Sequence, residues 1–217
     1  MQTFGLRIVN NFDTTKQSIN FKNEREESIL EINKQNSISF ESKIYYKYKC
    51  KIKNKINQEI IVDIESKEVT KSHYIIPNEF EMYYCSNNCL MFTLINTELS
   101  KEFYKIIEEK MELKVDKINF DFVKIIERNY IAKGVWYEVS SNTIKTKGAF
   151  GPSVNRDEES LNAIKKQKAK YLTIEYSHST GTKTVGISKK SAIVLYNKFD
   201  DSAKEIELML HVFNTFK

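Results

Sequence analysis

Residues 46–53 alternate strictly between apolar and lysine side chains, in the order Tyr-Lys-Tyr-Lys-Cys-Lys-Ile-Lys. Successive side chains of a β-strand point to opposite faces of its sheet. This period of two therefore predicts a strand with one buried face and one face that carries lysines. The polar residues 54–58 predict a turn directly after it.

The segment EIIVDIESK, residues 59–67, predicts the partner strand of a hairpin. In that register the lysines lie opposite acids, as the pairs Lys47–Glu65, Lys49–Asp63 and Lys53–Glu59. Such pairs stabilise an antiparallel sheet by about 0.2–1 kcal/mol each. The alternative is a groove that follows a nucleic-acid backbone, with Tyr45, Tyr46 and Tyr48 as stacking platforms. We favour charge pairing, because the acids cancel most of the positive potential of the lysines.

Similar patterns predict the remaining elements. Further strands are expected at 4–9, 72–76, 80–85, 90–95, 134–139, 142–147, 171–178, 182–188 and 191–196, with helices at 24–32, 98–110, 157–168 and 203–216. Residues 117–128 are ambiguous, and their alternation of Ile118, Phe120 and Phe122 favours a strand. Ser202 and Glu205 predict a capping box at the start of the last helix.

These elements predict an α+β protein of two antiparallel sheet-plus-helix lobes, residues 1–130 and residues 131–217. Residues 89–111 and 191–213 each read as an apolar strand, a short polar joint and an amphipathic helix. This likeness suggests a weak internal duplication, although a strand followed by a helix is a common pairing in any protein.

Composition narrows the class of protein. Three cysteines argue against a disulfide scaffold, and no apolar run approaches the ~20 residues that cross a bilayer. The N-terminus carries no secretory signature. We therefore expect a cytoplasmic protein that does not bind a membrane.

The positive charge is concentrated in one segment. Residues 131–199 carry 12 basic and 5 acidic side chains, whereas residues 1–130 carry 20 of each. Localised basic charge is typical of proteins that bind polyanions. However, 30 lysines beside 4 arginines also fit an AT-rich genome. The scarcity of arginine argues against sequence-specific reading of a duplex.

The leading hypothesis is a non-catalytic protein, without a cofactor, that binds the phosphates of RNA or single-stranded DNA. Basic charge interleaved with aromatic rings is the combination that such binding needs. The candidate residues are Trp136, Lys145, Lys147, Arg156, Lys165, Lys166, Lys168, Tyr176, Lys183, Lys189 and Lys190.

Three weaker hypotheses concern chemistry. Asp63, Glu65 and Lys67 alternate like the Mg²⁺-binding residues of some nucleases, with Glu41 as a further acid. Zinc ligands are offered by a second set, Cys50, His73, Cys85 and Cys89, whose spacing is not that of a zinc knuckle. His178 lies among hydroxyl residues, as a general base would, whereas His211 is expected to be packed. A protein–protein module of a mobile element or phage-conflict system is a further alternative.

The stretch Gly148-Ala149-Phe150-Gly151-Pro152-Ser153 raises the question of a phosphate-binding loop. A P-loop needs Lys-Ser or Lys-Thr at the start of the helix, and this stretch has neither. Acidic residues 157–159 already occupy the positive end of that helix, where Asn155 and Glu158 predict a cap. We therefore expect a strand-to-helix connection, with any anion on its basic flanks.

Overall fold

The computed structural model describes residues 1–22, 28–64, 66–140, 143–179, 181–197 and 199–217. The strands are β1 (Gln2–Val9), β2 (Ser18–Lys22), β3 (Ser28–Phe40), β4 (Lys43–Ile56), β5 (Ile60–Ile64), β6 (Lys67–Lys71), β7 (Tyr74–Cys85), β8 (Leu90–Thr93), β9 (Val115–Lys117), β10 (Ala132–Glu138), β11 (Thr146–Phe150), β12 (Ala169–His178), β13 (Gly181–Ser188) and β14 (Ala192–Leu195). The helices are α1 (Thr97–Met111), α2 (Phe122–Glu127), α3 (Glu158–Lys165) and α4 (Ser202–Phe216), with a 3₁₀ turn at Val154–Arg156.

One large antiparallel sheet organises the molecule. Its strand order is β11-β10-β12-β13-β14-β1-β8-β7-β4-β3-β2, and β9 pairs with β1. Strand β1 lies in the middle, with β8 along one edge and β14 along the other. Strands β5 and β6 form a separate two-stranded sheet. The α+β class predicted from the sequence is confirmed.

The two faces of the sheet bury separate cores, because alternate residues of a strand point to opposite faces. In β8, Leu90 and Phe92 pack into the core that contains α4, whereas Met91 packs into the core that contains α1. Helices α2 and α3 join the α4 core through Phe122 and Ile164. These two clusters are called the α4 core and the α1 core below.

The predicted partner of β4 is wrong. Strand β4 lies between β3 and β7, and Lys49 and Lys51 pair in register with Glu81 and Glu79 of β7. Residues 60–64 pair with β6 instead. The lysines still meet acids: Lys47 contacts Glu81 at 2.5 Å, and Lys49 contacts Glu79 at 2.8 Å. The charge-pairing interpretation therefore holds with acids of a different strand.

Three local predictions are also wrong. Residues 28–32 belong to β3 rather than to a helix, and residues 24–27 of that prediction lie outside the described residues. The segment 117–128 contains α2, which Asp121 caps by accepting from the amides of Val123 and Lys124. Residues 74–76 and 80–85, predicted to lie in two strands, belong to the single strand β7.

The predicted helix caps are wrong by one or two residues. Asp201, not Ser202, caps α4 by accepting a hydrogen bond from the amide of Ala203. Asp157 caps α3 through the amide of Ser160, while the side chain of Asn155 accepts from the amide of Ala132. Aspartate accepts such bonds as well as serine or asparagine does, so the sequence offered adjacent candidates.

The two chain segments that look alike occupy related places. Strands β8 and β14 flank β1 on its two edges, and each leads into a helix of 15 residues. These helices, α1 and α4, pack on opposite faces of the sheet. The division at residue 130 and the internal duplication both stay predictions.

Candidate functional site

Strands β10 to β14 bury one face and leave the other open. On the buried face, Val135, Leu172 and Ile193 pack in the α4 core. Among the described residues, the opposite face of these strands contributes nothing to the α1 core. It carries four aromatic side chains that we call the aromatic row: Trp136, Phe150, Tyr171 and Tyr196.

The four side chains of the aromatic row touch or face one another across the strands. Trp136 pairs in register with Tyr171, and the rings of Trp136 and Phe150 meet edge to face at 5.3 Å. The hydroxyls of Tyr171 and Tyr196 are hydrogen bonded at 2.9 Å. The row runs from β11 to the end of β14, which is about 19 Å at about 4.8 Å per strand. Exposure is 42% for Trp136, 64% for Phe150 and 42% for Tyr196.

Glycines beneath the row let its rings lie close to the sheet. A Cβ atom on Gly148 would lie 2.9 Å from the Trp136 ring and 3.0 Å from the Phe150 ring. On Gly186 it would overlap the hydroxyl of Tyr171. Three of the rings therefore rest above backbone that carries no side chain. Gly148 lies within β11, so the predicted strand-to-helix connection begins later than residue 148.

Lysines collect around the start of β12, close to Tyr171 in the chain. Lys170 directly precedes Tyr171. The amide of Lys189 donates to the carbonyl of Lys170 at 2.9 Å, and the Nζ of Lys189 donates to the carbonyl of Gln167 at 2.8 Å. These bonds hold the loop after α3 against the β13–β14 turn. Six lysines in these two loops and at the adjoining ends of α3 and β12 form what we call the basic rim: Lys165, Lys166, Lys168, Lys170, Lys189 and Lys190.

One carboxylate marks the junction between the basic rim and the aromatic row. Glu138 lies two residues after Trp136 on β10 and contacts the Nζ of Lys170 at 2.8 Å. The hydrogen bond from Lys170 lowers the pKa of Glu138, and the charges of Lys190 and Lys189 act in the same direction. Lys170, Lys189 and Lys190 are thus near enough to Glu138 to stabilise its charged form.

The other candidate cations predicted from the sequence lie apart from this surface. Lys147 points to the helix side of β11, where its Nζ contacts Glu159 at 2.7 Å. Arg156 is exposed in the 3₁₀ turn beside it. Lys145 is exposed at the β10–β11 connection, where its carbonyl accepts from the amide of Val139. Lys183 places its Nζ 5.1 Å from the centre of the Phe199 ring.

Tyr176 lies inside the molecule. Its ring stacks on Tyr130 at 5.8 Å, and its hydroxyl is hydrogen bonded to that of Thr215. Only 7% of the residue is exposed. Phe150 and Tyr196, in contrast, were missed in the sequence. Their spacing could have identified them, because each lies an even number of residues from a side chain on the open face of the strand that it belongs to or directly follows.

Of the acids predicted to bind magnesium, Asp63 and Glu41 are described by the structure and lie in different parts of the fold. Asp63 is exposed on the β5–β6 hairpin, and Glu65 lies outside the described residues. Glu41 lies in the β3–β4 turn, where Asn214 of α4 donates to it at 2.8 Å. The hairpin follows the opposite end of β4, a strand of 14 residues, so Asp63 and Glu41 are connected to different ends of that strand.

The predicted zinc ligands are also separated. Cys50 lies in the α1 core and Cys85 in the α4 core, on opposite faces of the sheet. Burial raises the pKa of the Cys50 thiol, which disfavours the thiolate that a metal needs. His73 is exposed and lies near the hydroxyl of Ser72. No single ion can therefore contact both buried cysteines.

His178 has a different neighbour from the one its sequence context suggested. Its ring lies 4.9 Å from the ring of His211, on α4. His211, expected to be packed, is half-buried against the edge of Phe40 and lies 3.8 Å from Glu207. Two histidines that are 33 positions apart in the chain thus share one site.

No protein-family model matches this sequence, and comparison with curated proteins finds no significant relative. In the part of the chain that the structure describes, every helix is too short or too polar to cross a membrane.

Proposed function

We propose that this protein binds single-stranded RNA or DNA along the open face, without catalysis. Bases stack on the aromatic row, and phosphates contact the basic rim. The observation that carries the proposal is the continuity of the two surfaces: Trp136 and Tyr171 pair in register, and Glu138 and Lys170 lie next to them on the same two strands.

The aromatic row has the properties that stacking requires. Trp136, Phe150 and Tyr196 are exposed, and the rings of the row lie on neighbouring parts of one sheet, so that several bases can contact it. Sheets of RNA-binding proteins hold two or three bases on aromatic side chains in this way. Each stacked base contributes about 1–3 kcal/mol to binding, with little dependence on its identity.

The basic rim supplies the charge that such a strand needs. Six lysines are accompanied by the carboxylate of Glu138, and Lys165, Lys166, Lys168 and Lys190 are exposed. Lysine is a compact charge that attracts phosphate without the fork geometry of arginine. The proposal is therefore binding with little sequence preference, driven by stacking and by release of counterions.

The test is fluorescence anisotropy with short labelled single strands of RNA and DNA. Trp136→Ala removes one stacking platform and is expected to weaken binding by about 5- to 150-fold, which corresponds to 1–3 kcal/mol. Tyr74→Ala, a change at a half-buried tyrosine of β7, is the matched control and is expected to have no effect.

The charge contribution is tested with Lys189→Gln combined with Lys190→Gln. Three phosphate contacts predict a log–log salt slope near −2, so wild-type affinity falls about 20-fold between about 50 and 200 mM salt. The double variant is expected to flatten that slope. Lys101→Gln with Lys105→Gln, which removes two exposed charges from α1, is expected to leave it unchanged.

Two results would overturn the proposal. One is an affinity that does not change with salt. The other is a loss in Tyr74→Ala as large as that in Trp136→Ala. Degradation of the strand in the presence of Mg²⁺ would contradict the non-catalytic part and favour the nuclease alternative. Tight binding of a host protein, with no affinity for nucleic acid, would favour the interaction-module alternative.

A further inference from the structure

Two of the three histidines of the chain converge with a glutamate beside α4. Glu207 and His211 lie four residues apart on α4 and so share one helix face. His178, at the end of β12, reaches the same place from the sheet. One ligand atom from each of these three residues lies within 4.8 Å of the other two.

The fold fixes the positions of these side chains. One turn beyond His211, the hydroxyl of Thr215 donates to the carbonyl of His211 at 2.8 Å. The same hydroxyl is hydrogen bonded at 2.9 Å to that of Tyr176, two residues before His178. Strand β12 and helix α4 are therefore joined next to the site, inside the α4 core.

A second carboxylate supports one of the histidines. The Oε1 atom of Glu41 lies 3.7 Å from the Nδ1 atom of His211, on the side of the ring away from Glu207. Asn214 donates to the other oxygen of Glu41 at 2.8 Å. A carboxylate behind a histidine is the usual arrangement at metal sites, where it fixes the ring orientation and raises the basicity of the ligating nitrogen.

From this arrangement we propose that His178, Glu207 and His211 bind a divalent transition-metal ion of the zinc class, with Glu41 orienting His211. Two imidazole nitrogens and one carboxylate oxygen form a donor set that zinc accepts, and this set leaves a fourth position for water or another ligand. Magnesium and calcium prefer sites built from oxygen alone.

The distances agree with such a site after a small adjustment. Ligand atoms around a tetrahedral zinc ion lie roughly 3.4 Å apart, because each bond is about 2.0–2.1 Å long. The Nε2 atom of His211 is 3.8 Å from Oε1 of Glu207. Of the three side chains only that of Glu207 is exposed, so a rotation of Glu207 is the adjustment that the site requires.

A single ion is near enough to contact both histidines, because the centres of their rings lie 4.9 Å apart. One metal ion satisfies both rings and the carboxylate of Glu207 together. It also links the β3–β4 turn, through Glu41, to β12 and α4.

The test is titration of the whole chain with Zn²⁺ by calorimetry and with Co²⁺ by visible absorption. Both use a Cys89→Ser background, because Cys89 is the partly exposed thiol among the three cysteines. We expect one equivalent to bind, and excess Mg²⁺ not to compete. Because the three ligands converge only in the folded chain, saturation is also expected to raise the melting temperature.

Four variants separate the roles. His178→Ala and Glu207→Gln are expected to lower metal affinity by more than 100-fold. Glu41→Gln, which removes only the supporting carboxylate, is expected to lower it by about 10- to 100-fold. His73→Ala removes the third histidine, on the loop between β6 and β7, and is expected to change nothing.

Two results would overturn the site: undiminished binding in His178→Ala, or an equal loss in His73→Ala. Circular dichroism without metal verifies that each variant is folded. If His178→Ala is unfolded, Glu207→Gln decides alone, because its carboxylate is exposed and its removal leaves the core intact. The readout is the metal itself, so a negative result leaves the nucleic-acid proposal standing.

Discussion

Replacing Gly186 with alanine is expected to disrupt the aromatic row from beneath. The added Cβ atom would overlap the hydroxyl and the Cζ atom of Tyr171, so the ring must swing away from the sheet. That movement breaks the hydrogen bond between Tyr171 and Tyr196. Burial raises the pKa of Tyr171, so its hydroxyl keeps its proton and donates or accepts in the native state.

The expected magnitude follows from two contributions. Inserting a methyl group into packed structure costs about 1–3 kcal/mol. Losing a hydrogen bond between two hydroxyls costs about 0.5–1.5 kcal/mol. The free energy of unfolding of Gly186→Ala is therefore expected to fall by about 2–4 kcal/mol. Affinity for a single strand is expected to fall as well, because Tyr171 no longer lies flat.

Urea denaturation measures this effect, and a double-mutant cycle assigns its cause. In a Tyr171→Ala background the overlap is gone, so Gly186→Ala is expected to cost less than 1 kcal/mol. Gly151→Ala is the matched control, because its Cβ would meet only Val154, at 3.9 Å. An equal loss of stability with and without the Tyr171 ring would refute the argument that glycine is required there by the ring.

Two further substitutions test the packing and the caps. Tyr48→Phe is expected to raise the free energy of unfolding by about 1 kcal/mol, because the buried Tyr48 hydroxyl has no hydrogen-bond partner among the described residues. Urea denaturation measures this change, and a lower stability of the variant would contradict the prediction. Asp201→Ala is expected to lower the melting midpoint by an amount equivalent to about 1 kcal/mol, because Asp201 is the cap of α4. Ser202→Ala is expected to lower it by much less. The reverse order would show that Ser202 is the cap, as the sequence predicted.

Local patterns in the sequence predict local structure well. Alternation identifies β4, and similar local patterns identify β12 and β13. Both features depend on residues that are close together in the chain. The predictions that are wrong depend on distant residues. Strand β4 pairs with β7, beyond an inserted hairpin, and no rule of alternation distinguishes Glu79 and Glu81 from nearer acids.

The candidate surfaces illustrate the same limit. The sequence shows that residues 131–199 are basic. It does not show that Lys147 is paired with an acid, that one face of the strands is buried, or that six of the lysines form the basic rim. The aromatic row joins side chains from β10, β11, β12 and the residue after β14, and the sheet order that makes them neighbours is set by the whole fold. His178 and His211 meet only because β12 packs under α4.

The central claim is that bases stack on the aromatic row, and the single tryptophan of the chain reports on it directly. Tryptophan fluorescence, excited where tyrosine does not absorb, is measured while an unlabelled single strand is added to the wild-type protein. Stacking on Trp136 predicts saturable quenching with the same dissociation constant that anisotropy gives. Binding seen by anisotropy without any change in the fluorescence of Trp136 would contradict the account.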